Sequence, residues 1–136
     1  MLVARHLLWI DSAAAATAGT SVLLLGAWLS EVYRLPPGLL QFIGAVNLLY
    51  ASYSFSLAIR RDRPRSLLYL LVLGNALWAG ACVAMALQFA GDSSLLAQAH
   101  LFGEALFVGT LAACEWRRRE QICGLPARAA ALRSPA

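Results

Sequence analysis

Residues 67–89 read LLYLLVLGNALWAGACVAMALQF, twenty-three positions without a charged side chain. A helix that crosses the ~30 Å hydrocarbon layer needs about 20 mostly apolar residues, and this run meets that length with one amide near its middle. Three other stretches qualify, at 7–29, 38–59 and 94–116. The segments between them are breakers. SEVYRLPPG (30–38) carries a Pro-Pro-Gly stop, RRDRPRS (60–66) is charged and contains proline, and AGDSS (90–94) is small and polar. Connections this short predict that consecutive helices are antiparallel neighbours. The expected fold is therefore all-α: an antiparallel bundle of four transmembrane helices over 1–116, followed by a basic tail over 117–136 that is expected to be disordered beyond its first turn.

Composition agrees. Hydrophobic residues make up 60% of the 136 positions and charged ones 13%, whereas soluble domains carry about a quarter charged residues. All eleven basic residues are arginine, a usage that fits a GC-rich bacterial genome. Ten of them fall on one side of the predicted membrane: Arg5, Arg60, Arg61, Arg63, Arg65, Arg117, Arg118, Arg119, Arg128 and Arg133; only Arg34 falls on the other. The positive-inside rule then puts both termini and the 60–66 loop in the cytoplasm of a multi-pass protein of the bacterial inner membrane. Trp9 and Trp116 at one boundary, with Trp28 and Tyr33 at the other, suit interfacial aromatic belts.

The arginine clusters at 60–65 and 117–119 are expected to contact anionic lipid head groups, at about 1 kcal/mol each. A nucleic-acid surface would need stacking aromatics among them, and none is present. A cleaved signal peptide over 1–18 is the competing reading of the N-terminus. Asp11 interrupts its apolar core, and cleavage after Ala18 would strand a remnant over 21–29 too short to span.

The polar residues inside the spans carry the chemical information, because an ionisable group at mid-membrane is expensive and so a functional hypothesis by default. The set is Asp11, Gln41, Asn47, Asn75, Gln98, His100 and Glu104. At 1.5 Å per residue, Asp11 falls about 6 Å inside the cytoplasmic boundary, close enough for its carboxylate to reach the interface, Asn75 roughly 12 Å, and Asn47 and Glu104 roughly 18 Å. Asn47, Asn75 and Glu104 are thus expected to meet near the bilayer centre, with His100 one turn beyond Glu104 on the same face. Each polar residue shares a helix face with small ones: Asp11 with Ala15 and Gly19, Asn47 with Gly44 and Ser54, Asn75 with Ala79 and Cys82. Small residues gather where membrane helices touch, and the stripes Ala76/Gly80/Ala84 and Ala105/Gly109/Ala113 are read as further contact faces, available also for oligomerisation. The shared pattern N-x-L-aromatic-A at 47–51 and 75–79 is either a chance match or the trace of an inverted repeat.

Haem sharing is excluded, since His6 lies at the opposite end of the membrane from His100. Glu104 with His100 is too few ligands for a metal, and Cys82, Cys114 and Cys123 have no ligand spacing. No cofactor, metal or catalytic site is expected, and no hydrolase, phosphate-loop or dinucleotide motif is present to support enzyme activity.

Four features, namely Ile10-Asp11 early in the first span, LPPG (35–38) opening the second, the arginine-rich loop with its proline, and NALWA (75–79) in the third, resemble small four-helix bacterial inner-membrane proteins. The layout is similar to that of DoxX-like proteins, some of which associate with quinone-linked redox enzymes. This resemblance implies a non-catalytic accessory or interaction subunit, working as a homo-oligomer or within a larger membrane complex. The alternative is a small proton- or cation-coupled transporter, or a redox-linked subunit, in which Glu104 is the proton or cation site, supported by Asn47, Asn75 and His100.

Overall fold

The computed structural model describes residues 2–60 and 62–123. It is all-helical among these residues: α1 (Leu2–Leu24), α2 (Gly26–Tyr33), α3 (Pro37–Ile59), α4 (Arg65–Gln88), α5 (Leu95–Arg117) and a single turn, α6 (Arg119–Ile122). Four helices are long and apolar enough to cross a membrane, His6–Leu24, Pro37–Ile59, Arg65–Gln88 and Leu95–Arg117.

The sequence expectation of one unbroken first helix over 7–29 is corrected at Leu25. There the backbone leaves the helical path (φ −99°, ψ 9°) just before Gly26, although the bonds Leu25 N to Ser21 O (2.9 Å) and Leu29 N to Leu25 O (2.8 Å) bridge the break. Glycine is among the weakest helix formers and a usual place for a kink. The short helix α2 then runs on to Tyr33 and stops where Arg34 enters the left-handed region (φ 56°). Pro37 starts α3 as its first residue, where a missing N–H costs nothing. The Ser94 hydroxyl caps α5 by accepting from Ala97 N (3.2 Å), and Ser94 N donates to Tyr33 O (2.9 Å), which ties the two loops at that end together.

The long helices pack as two tight pairs, α1 on α3 and α4 on α5, whereas α3 and α4 scarcely touch despite the short loop between them. That departs from the expectation that all consecutive helices are neighbours. Its cause lies in what fills the middle of the bundle. Leu8, Leu57, Ala58, Leu68, Leu71 and Ile122 form an apolar layer at one end. Val22, Leu29, Tyr33, Leu40, Ile43 and Ala97 form another at the far end. Between the layers the core is polar and partly hollow, so the pairs stand apart.

The α1–α3 pair meets backbone to backbone. A Cβ at Gly19 would stand 2.8 Å from Gly44 O and 3.0 Å from Leu48 N, so only glycine permits this crossing. Many large apolar side chains face outward: Leu49 is 75% exposed, Leu95 87% and Leu106 74%. In water this girdle would drive aggregation; against lipid it is the natural exterior. Trp9, Trp28 and Trp116 are exposed as belt residues should be, but Tyr33 is buried and packs on the His100 ring at 5.5 Å. Of the two small-residue stripes, Ala76/Gly80/Ala84 faces out of the bundle, while Ala105 is buried and Gly109 approaches Ala79 of α4.

Candidate functional site

Three carboxyl groups sit inside the spans and sort into two centres. Helix periodicity brings Asp11 of α1 against Ser54 and Tyr50 of α3. Asp11 Oδ2 accepts from Ser54 Oγ (2.6 Å) and Tyr50 OH (2.7 Å), and Asp11 is 2% exposed. The Asn75 amide reaches across from α4. Its Nδ2 donates to Glu115 Oε2 of α5 (3.1 Å) and, at the outer limit of a hydrogen bond, to Asp11 Oδ1 (3.5 Å). One amide nitrogen therefore bridges two carboxyl groups from different helix pairs. Glu115 is fully buried, and its second oxygen, Oε1, has no hydrogen-bond partner among the described residues.

The second centre is Glu104 of α5. Its Oε1 accepts from Trp78 Nε1 (2.7 Å) and Asn47 Nδ2 (3.2 Å), and its Oε2 lies 3.4 Å from His100 Nε2 one turn away. A protonated His100 would balance Glu104. Among the described residues, the hydrogen bonds at the first centre come from neutral donors: Asn75 to Glu115, and Ser54, Tyr50 and Asn75 to Asp11.

A cavity of about 450 Å³ lies between the two helix pairs. All four long helices line it, with Asp11, Asn47 and Tyr50 from the α1–α3 pair and Asn75, Trp78 and Glu104 from the α4–α5 pair. Its wall is otherwise apolar, and several lining residues, including Phe42, Leu77 and Phe107, are also exposed on the outer surface. The cavity thus opens laterally, toward the face that lipid would cover.

The expected meeting of Asn47, Asn75 and Glu104 is therefore only half realised. Asn47 does reach Glu104, but Asn75 belongs to Asp11 and Glu115, and Asp11 is buried in the bundle instead of reaching the interface. Each asparagine binds a carboxylate of the opposite helix pair, so both act as braces across the cavity. His100 lies beside Glu104 as the one-turn spacing requires. Gln41 is exposed at the start of α3, and Gln98 donates to Ala86 O (2.9 Å) and Ser93 Oγ (2.6 Å) in the loop region.

Glu115 and Trp78 were not singled out by sequence reasoning. Glu115 precedes Trp116 and three arginines, and so passes for an interfacial residue. Its signal was the helix face: Leu101, Ala105, Leu111, Ala112 and Glu115 recur at helical spacing and all are buried.

Among the arginines expected at lipid head groups, Arg60, Arg65, Arg117 and Arg118 are exposed. Arg63 instead donates to the last carbonyls of α3, Nε to Leu57 O and Nη2 to Ala58 O, both at 2.9 Å. A cation there offsets the negative end of the helix dipole. Arg119 lies over the Trp116 ring at 4.7 Å and donates to Trp116 O. Arg61, Arg128, Arg133 and the expected disordered tail over 124–136 lie outside the described residues; the tail's first turn forms α6, with Ile122 buried. Comparison with protein-family models, curated proteins and solved structures finds no match to this chain.

Proposed function

We propose that this chain is a small proton-coupled carrier of the bacterial inner membrane, an antiparallel four-span bundle with both termini in the cytoplasm. The contacts Asp11–Ser54, Ser12–Ala51 and Gly19–Gly44 run in opposite chain directions, as do Ala86–Gln98, Trp78–Glu104 and Asn75–Glu115, which supports antiparallel pairs. The ten-to-one split of the arginines supports the orientation. In a background with the three cysteines replaced by alanine, Asp92→Cys should react with an impermeant maleimide on cells whose outer membrane is permeabilised. Ser66→Cys should react only once the inner membrane is broken, and the reverse pattern would contradict this topology.

One observation carries the functional reading: Asp11 and Glu115 are buried together, bridged by a single amide, and one Glu115 oxygen has no partner. Two negative charges held this close and away from water strongly oppose each other. Asp11 accepts from three described donors and Glu115 from one, so we place the proton that relieves this repulsion on Glu115. A proton held beside a cavity that opens to the membrane is what a coupled carrier requires. Proteoliposomes holding a pH-sensitive dye should take up protons under an inside-negative potential faster than empty liposomes. Glu115→Gln, which keeps the shape and removes the titrating group, should abolish the excess. Equal rates with and without protein would contradict the carrier.

A second reading, an accessory subunit of a larger membrane complex, is favoured by one feature: the exposed Ala76/Gly80/Ala84 stripe on α4 offers a close-approach surface to another helix.

A further inference from the structure

The cavity between the helix pairs has the size of a small-molecule site, since such sites span ~300–1,000 Å³, and its lining states what it would take. Ala14, Ala18 and Ala81 leave the space, while Phe42, Trp78 and Phe107 contribute aromatic wall. Because its mouth lies on the apolar exterior, a ligand arriving from lipid must itself be largely apolar. The polar part of that ligand is set by charge. Asp11 lines the cavity, and its Oδ1 has only the long 3.5 Å contact from Asn75. Glu104 on the opposite wall already holds two donors and has His100 beside it. The strongest uncompensated negative potential in the cavity is therefore at Asp11.

We infer that the cavity binds a lipophilic amine, its ammonium at Asp11 Oδ1 and its apolar body along the wall toward Trp78 and Phe107. With the proton on Glu115, the negative charge left at Asp11 is what a cation at this position balances, and cation–π attraction to the aromatic wall adds to it. An anion would be repelled, and a neutral apolar molecule would leave the carboxylate without its missing donor.

This rests on the carrier reading only in taking Glu115 as the protonated member of the pair, and it is tested by binding alone. Full-length protein in lipid nanodiscs is titrated with radiolabelled phenylbutylamine against empty discs. Saturable binding is expected, with phenylbutanol unable to displace the amine. Asp11→Asn should weaken binding on the order of tenfold or more, as expected for the loss of one partner of a desolvated charge pair. Ala81→Leu, which fills the cavity from the opposite wall without touching Asp11, should weaken it as well, and this covers the case in which Asp11→Asn fails to fold. Binding no greater than in empty discs, or equal displacement by phenylbutanol, would overturn the inference. Saturable amine binding without proton flux would overturn the carrier and leave this site standing; flux without amine binding would do the reverse.

Discussion

Asn75→Leu should cost the bundle on the order of 3 kcal/mol, the largest loss expected from any single substitution in the core. Ordinary hydrogen bonds between membrane helices contribute only ~0.6 kcal/mol on average, and up to ~1.7. Asn75 differs because one nitrogen serves two carboxyl groups. Leucine of similar size removes the only described donor to Glu115 and leaves Asp11 and Glu115 facing each other with nothing between. The damage should then depend on the second acid. Glu115→Met placed on the Asn75→Leu background should recover much of the lost stability, since an apolar residue needs no donor. Melting in detergent, or unfolding in mixed micelles, reads both effects. Equal losses for the single and double variants would show that Asn75 matters through packing and not through the acid pair.

Gly19→Ala is the second large effect, about 1–3 kcal/mol from forcing apart two packed helices. The added methyl would meet backbone atoms, Gly44 O and Leu48 N, which cannot step aside without moving α3. Gly44→Ala is a built-in comparison. Its closest contacts are Leu23 side-chain atoms at 2.6 and 2.8 Å, with the Gly19 carbonyl farther at 3.2 Å. A leucine side chain can turn away, so Gly44→Ala should cost less. At Gly80 an added Cβ meets nothing within 4 Å, and Gly80→Ala should be neutral or gain up to ~1 kcal/mol from helix propensity. The order Gly19 worse than Gly44 worse than Gly80 is the test. A different order, read from the same melting curves, would place the helix crossing elsewhere.

The spans were legible because lipid allows few solutions: a long uncharged run such as 67–89 has to be a helix, and Pro-Pro-Gly has to end one. The inward faces were legible for the same reason, and Gly19, Gly44, Asn47, Ser54, Asn75 and Cys82 are all buried where helical spacing put them. Partnership was not legible. Depth along a helix fixes one coordinate, and Asn75 at an intermediate depth was free to pair with Glu104 or with Asp11. The choice depended on α1 packing against α3 and α4 against α5, with a gap between the pairs, and no periodicity encodes that. Glu115 was hidden by its neighbours. Beside Trp116 and Arg117 it looks interfacial, yet the face it shares with Leu111 and Ala112 points into the bundle. The break at Leu25 was similarly masked, because the residues on either side of Gly26 are as apolar as a continuous span.

The central claim is that the buried Asp11–Glu115 pair holds one proton, and infrared spectroscopy of the membrane-reconstituted protein tests it most directly. A protonated carboxyl group absorbs at a C=O stretch separate from carboxylate bands. The account predicts such a band at neutral pH in the native chain and its loss in Glu115→Gln. Carboxylate bands alone in the native protein, or an acid band that survives Glu115→Gln unchanged, would contradict it.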